Sequence, residues 1–455
     1  MRLFSRRKAE DPALLFTGSE LRGLMLPLLL EQLLIVLMSI INTVMVSSGG
    51  EDAVSAVSLV DTINVLLVNV FVALATGGAV ITAQYLGRRE PDMAGKAARQ
   101  LLYVMLAVSL AISVLSLLFY RALLHAVFPG VNDAVMTNAA TYFLLIIFSF
   151  PFLSVFSGGS ALMRAAGNSK ASLITTLMVN AINVAGNALL IYVFGLGVKG
   201  AALAAVIARV LGAVVILLLL KNPRQGLVIP SLRRFAWDGD MVKRILRIGV
   251  PNGLENSFFQ LGKILLQSLV STLGITAMAA NAVANSLAGF QNIPGSAVSL
   301  AMITVVGRCV GASEYNQAKL YVKKLMRFSY WTMGLLTPVI LLLLPCVIGS
   351  YGLSAEVAKS AWQLMFVYTI VCAVFWSSSF ALPNALRAAG DVKFTMVVST
   401  LSMLIFRIGF SYLLVQFFGM GLMGVWVAMM IDWVARSAAF YIRYRRGVWE
   451  RRKVL

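Results

Sequence analysis

The chain has 455 residues, of which 60% are hydrophobic and only 12% charged, with a mean hydropathy of +0.87. That charged share is about half the ~25% typical of soluble domains, which excludes a water-soluble globular fold. The formal net charge of +20 needs no nucleic-acid partner, because basic loops kept on one side of a membrane and drawn to anionic lipid account for it.

Twelve apolar segments follow one another, at about 24–46, 56–83, 98–120, 138–160, 171–193, 199–220, 249–272, 280–304, 326–347, 361–383, 394–416 and 420–442. Each is long enough, at 1.5 Å per residue, to cross a hydrocarbon core of ~30 Å as a helix. The runs are continuous rather than alternating, so they predict helices and not a barrel. The first twenty residues hold basic side chains but no apolar signal-peptide core. Three scattered cysteines, Cys309, Cys346 and Cys372, read as buried free thiols, and His125 as a loop residue.

Charges orient the segments. Arg2, Arg6, Arg7, Lys8 and Arg22 precede the first; Arg88, Arg89, Lys96 and Arg99 follow the second; Arg164 and Lys170 follow the fourth. The pattern continues through the linker, with Arg233 and Arg234, and on to Arg387, Lys393 and the tail RYRRGVWERRK. The alternate loops hold only Arg121, Lys199 and Lys359. The positive-inside rule then places both termini in the cytoplasm, which requires an even number of crossings.

The sequence also repeats itself. Pro27 and Glu31 in PLLLEQ match Pro251 and Glu255 in PNGLEN, and Gly197 and Gly200 match Gly421 and Gly424. ALMRAAGNSK (161–170) returns as ALRAAGDVK (385–393), and Gly87 stands opposite Gly311. Landmarks at nearly one offset spread over six segments indicate a six-helix repeat. Six crossings return the chain to its starting side, so the halves are parallel repeats, a plan found in transporters. The expected organisation is all-α and integral to the plasma membrane. It comprises a cytoplasmic segment 1–23, an N-lobe 24–220, a linker 221–248, a C-lobe 249–442 and a basic tail 443–455.

Charges inside the segments are costly and mark cavities. Four carboxylates (Glu31, Asp61, Glu255, Asp432) and four cations (Arg209, Lys263, Arg407, Arg436) fall there. Asn256, Gln260, Lys263 and Gln267 make a stripe beside Glu255, which predicts a wet cleft holding an ion- or proton-binding carboxylate, or a structural pair with Lys263. Glu31, sharing a face with Asn42, reads as a gate, a packing contact or an ion site; Asp61 reads as a coupling acid or a solvated end charge. Asp432 and Arg436 have the i,i+4 spacing of an intrahelical ion pair, and Arg407 reads as the partner of an acid on another helix. Asn180, Asn183 and Asn187 form one polar face, and Asn281, Asn285 and Asn292 another; either serves interhelical hydrogen bonding or a cavity lining. No P-loop, HExxH or GxSxG is present, so the chain is not read as an enzyme and an ion gradient is the expected energy source.

The stretches PLLLEQLLIVLMSIINTVMV, ALATGGAVITAQYLGRRE, the two RAAG phrases and residues 251–312 resemble the multidrug and toxic compound extrusion family, NorM-like branch, over about 24–442. The resemblance implies twelve transmembrane helices in two six-helix lobes. It also implies export of cationic or amphipathic small molecules in exchange for Na+ or H+, by a monomer in contact with lipid, without cofactors. The family's acidic position early in the seventh helix falls on Glu255. The acid common late in the first falls on Asn42, and one on the tenth falls near Trp376. A flippase for a lipid-linked precursor, which favours a strongly cationic cavity, is the alternative reading.

Overall fold

A computed structural model describes residues 14–47, 50–128, 130–230, 232, 235–350 and 354–452. Residues 1–13 and 453–455 of the basic termini, and Arg233 and Arg234 of the linker, lie outside the described residues.

The described residues form helices joined by short turns, with no strand among them. In chain order these are α1 (Gly18–Ser47), α2 (Glu51–Gly87), α3 (Pro91–Val127), α4 (Asp133–Ile147), α5 (Phe150–Ala165), α6 (Ser169–Asn187), α7 (Gly197–Lys221) and α8 (Gly239–Ser271). There follow α9 (Ile275–Gln291), α10 (Ile293–Gly311), α11 (Tyr315–Ser350), α12 (Ala355–Trp376), α13 (Leu382–Ala388), α14 (Val392–Ser402), α15 (Phe410–Gln416) and α16 (Gly421–Arg445). Wider π-helical turns at Ala188–Val193, Ser377–Ala381 and Met403–Gly409 continue α6, join α12 to α13 and join α14 to α15.

All twelve predicted segments fall on helix. Among the described residues ten helices are long and apolar enough to cross a membrane, and α4 with α5, bent by 53°, makes an eleventh span. The shortfall is the seventh segment, on α8, while the eighth is represented by α10, one of the ten. Polar residues interrupt α8, and the eighth segment is divided at Asn292 into α9, of 17 residues, and α10. Pro294 near the start of α10, like Pro151 near the start of α5, has no N–H to continue the preceding helix. His125 lies in the last turn of α3 rather than a loop, and Cys346 is exposed while Cys309 and Cys372 are buried; all three thiols are free. The linker is shorter than expected, since α8 starts at Gly239.

The backbone carries the repeat as clearly as the residues do. Positive φ occurs at Gly50 and Gly274, Arg89 and Ser313, Gly167 and Gly390, Gly195 and Gly419, and Gly197 and Gly421. The twice-written RAAG is a helix stop. Gly167 (φ 84°) donates to the Arg164 carbonyl at 2.8 Å, and Gly390 (φ 89°) to that of Arg387 at 2.9 Å. Asn168 and Asp391 then close on Met163 and Leu386, each at 2.9 Å. Only glycine enters this left-handed turn without a steric cost.

Two compact units result: residues 33–253, and residues 1–32 with 254–455. Their borders run through α1 and α8 rather than between the repeats, so each unit contains the first half of the other repeat's opening helix. Within the second unit, Leu21, Leu24, Met25 and Leu28 of α1 are buried in a core with Val298, Ala301, Met302 and Val305 of α10 and Tyr321 of α11. Within the first, α8 meets α2 so closely that a Cβ on Gly77 would lie 2.6 Å from the Ile245 carbonyl oxygen. Small residues at such crossings let helices pack where lipid offers no hydrophobic drive.

Candidate functional site

The densest polar cluster lies in the unit of 1–32 and 254–455. Glu255, on α8 one turn after Pro251, is 5% exposed. Its Oε1 accepts from Arg387 Nη2 at 2.5 Å and has Arg436 Nη2 at 3.9 Å. Its Oε2 is buried with no hydrogen-bond partner. Arg387 sits in the last turn of α13, and its Nη1 donates to Asn384 at 2.8 Å. Arg436, on α16, lies over the Phe380 ring at 4.6 Å and reaches the Ser379 carbonyl at 3.5 Å. That carbonyl belongs to the π-helical turn Ser377–Ala381, and extra-wide turns of this kind are frequent at functional sites.

A second ion pair lies beside the first. Arg407, on the π-helical turn Met403–Gly409, approaches Asp432 Oδ2 at 3.9 Å, while Ser402 donates to Asp432 Oδ1. The ring of Phe259 carries Arg407 at 5.1 Å and Lys263 at 5.2 Å. Burying charge is tolerable only when partners replace water, which explains the density of contacts here.

These distances correct several expectations. Glu255 does not line a watery cleft; it is buried in an arginine clasp. Its partner is not Lys263, which stands eight residues and about 12 Å of helix rise further on. Arg436 turns to Glu255, and Asp432 pairs with Arg407 of another element, so the pair within α16 gives way to contacts across helices. Arg407 does balance an acid on another helix, as its isolation suggested. Asn292 leaves the polar face of Asn281 and Asn285, accepting instead from Tyr368 at 2.9 Å. Asn256 and Gln260 lie half-buried on α8. Trp376, near which the resemblance put an acidic position, is buried.

The residue that the sequence reading missed is Arg387, counted there as a loop charge. Its signal was the duplicated phrase itself, written twice with the arginine in place. With Arg387 included, Glu255 and Asp432 face Arg387, Arg407, Arg436 and Lys263, so this interior is net positive rather than balanced.

The unit of 33–253 is built differently. Asp61 is exposed, with Asn64 and Arg209 the groups whose polarity and charge act on it, and Arg209 Nη1 donates to Ser149 at 2.6 Å. Asn187 Nδ2 lies 3.4 Å from both Asn42 Oδ1 and Asn183 Oδ1, a neutral chain of amides, with half-buried Asn180 further along the same helix. Glu31 is buried and engaged, and it belongs to the other unit. Among the described residues no three His, Cys, Asp or Glu side chains gather as a metal site.

The chain is similar along nearly its whole length to known transporters. The transporter YisQ of Bacillus subtilis (strain 168) is 28% identical over 433 residues, covering 93% of each chain. A probable multidrug resistance protein NorM of Thermotoga maritima is 26% identical over 455 residues, 96% of this chain and 94% of that one. In fold, the chain superposes with a TM-score of 0.88, at 20% identity, on a multidrug resistance MATE family transporter of the MOP superfamily in its outward-facing conformation, covering 96% and 97% of the two chains. The MatE profile matches twice, over residues 27–189 and 251–413, beginning at the repeat-related Pro27 and Pro251. A duplicated, multi-pass helical chain with charged interiors that matches this profile over both repeats belongs to the MatE family, the multidrug and toxic compound extrusion transporters.

Proposed function

We propose that this chain is an ion-coupled exporter of amphipathic and cationic organic molecules. It works in the plasma membrane as a monomer with both termini cytoplasmic, and its two lobes give alternating access. The observation that carries the coupling is the unpartnered Oε2 of Glu255, a buried acceptor whose twin oxygen is held by Arg387. An unsatisfied buried acceptor costs roughly 1–3 kcal/mol, a cost that a bound cation removes. A proton needs only that one lone pair. Na+ needs several oxygen ligands, so the geometry supports H+ over Na+. Protonation would also neutralise the acid and loosen the Arg387 and Arg436 contacts, linking ion binding to the packing of α8 on α13 and α16.

Asp61, with Arg209 beside it, is the second candidate for coupling, and Glu31 a buried helper. Asn42, Asn180, Asn183, Asn256, Gln260, Lys263, Asn281, Asn285, Arg407 and Asp432 are the proposed polar residues of the substrate path. Similarity to proteins named for multidrug resistance favours drug export over the flippase reading. The test is ethidium efflux from vesicles under an imposed pH or Na+ gradient. Wild type is expected to respond to the pH gradient and Glu255→Gln to lose that response while remaining folded. Equal proton-driven efflux by both would remove Glu255 from the mechanism.

A further inference from the structure

A cavity of about 230 Å³ opens within the unit of 1–32 and 254–455, between α8, α9, the π-helical turn at Met403–Gly409 and α16. Its polar lining consists of Lys263, Gln267, Asn281, Asn285, Arg407 and Trp426. No carboxylate lines it. Pockets for whole drug-sized molecules run to roughly 300–1,000 Å³, so this one suits a headgroup rather than an entire passenger.

The hydrogen bonds in its wall have a fixed direction. The Trp426 indole can only donate, and it donates to Asn281 Oδ1 at 3.0 Å. That choice turns the Asn281 amide so that its Nδ2 donates onward to Gln267 Oε1 at 3.2 Å. The Gln267 oxygen is thereby used, and its two N–H donors are what it has left to offer. Asn285 donates to the Asn281 backbone carbonyl at 2.9 Å and keeps one neutral oxygen. Arg407 Nε is buried without a partner, and its nearest acid is 3.9 Å away. Among the described residues no carboxylate pairs with Lys263, which rests instead on the ring of Phe259. Arg407 rests on the same ring at 5.1 Å, and Arg436 lies 5.9 Å from it, so three like charges gather about one aromatic side chain, with Asp432 3.9 Å from Arg407 the nearest acid to that guanidinium.

We infer that this cavity binds the carboxylate of an amphipathic passenger, through Lys263, Gln267 and Arg407. The inference rests on the export reading and narrows its substrate class. A passenger with an acidic end, zwitterionic or anionic, is held here better than one carrying only positive charge. With Asp432 3.9 Å from Arg407 offsetting one of the two cations, the site keeps about one net positive charge and enough donors for the two oxygens of a carboxylate. The apolar body of the passenger then lies outside the cavity.

Rhodamine B, which carries a free carboxylate, and its ethyl ester, a cation with the same fluorophore, make the test. Binding of each to purified protein in lipid nanodiscs is followed by fluorescence anisotropy. Wild type is expected to bind the acid at least tenfold more tightly than the ester. Lys263→Gln is expected to weaken the acid at least tenfold more than the ester, erasing that preference, and Lys263→Arg to retain it. Gln267→Glu, which places a carboxylate in the cavity, is expected to weaken the acid at least tenfold and leave the ester unchanged or tighter. Equal affinity for the two dyes in wild type, no binding of the acid, or an undiminished preference in both Lys263→Gln and Gln267→Glu would overturn the inference. Gradient-driven efflux of the ester, measured alongside, separates the two readings. Ester efflux without acid preference leaves export standing and removes the carboxylate site; acid preference without efflux of either dye does the reverse.

Discussion

The two repeats share a backbone and differ in what they bury. Positive-φ turns recur in pairs through both, and Glu255 and Arg387 have the charged counterparts Glu31 and Arg164, yet several other interior charges of one repeat correspond to small or neutral residues in the other. At the repeat offset Arg407 corresponds to Asn183, Asp432 to Ala208, Arg436 to Gly212 and Lys263 to Ser39. In the other direction Asp61 corresponds to Asn285 and Arg209 to Trp433. Turns and close crossings must be kept for either repeat to fold. Interior side chains are free to diverge once each new charge finds a partner. The unit of 33–253 consequently has amide chains and an arginine held by a serine hydroxyl, while the other has an arginine-rich interior.

The comparison can be broken most sharply at Arg387. Arg387→Met should leave Glu255 buried with only a distant cation, at a cost of about 3–5 kcal/mol, read as a large loss of thermal stability in detergent. The double variant with Glu255→Met should recover most of it. If the single variant is as stable as wild type, the clasp is not a structural pair. In the other unit the strongest local effect should be steric. Gly77→Ala drives a methyl into the Ile245 carbonyl, for a loss of about 1–3 kcal/mol by the same measurement. Gly253→Ala, whose new Cβ would sit 3.6 Å from that of Ala73, should be neutral. Removing a neutral amide should matter less: Asn187→Ala is expected to cost about 1 kcal/mol, against the several expected at Arg387. The smallest change in stability, under about 0.5 kcal/mol, is expected for Asn42→Asp, which places an acid beside Asn187. Its effect should appear in the pH dependence of dye efflux, and a variant absent from the membrane would contradict it.

Much of this was legible before any coordinates. The apolar runs gave the helices, and the echoed phrases gave the duplication, because both follow from local chain physics. The pairing inside the C-terminal repeat was not legible. Spacing along one helix suggested Asp432 with Arg436 and Glu255 with Lys263, but partner choice depends on which neighbouring helix approaches each face. Arg387 was hidden by a sound rule misapplied: cations near turns are usually topological, whereas this one points back under α8 from the last turn of a short helix. The division of α1 and α8 between units also escaped the sequence, since nothing in a continuous helix marks where its packing partners change.

That division bears on how such a protein begins. A lone six-helix repeat of this design would present an unsheltered half-helix at its front and an empty socket for one elsewhere. Two separate copies could satisfy each other by mutual exchange, as a swapped pair. The joined chain therefore reads as a tethered dimer, in which residues 18–32 find their final surroundings only after the second repeat has been synthesised.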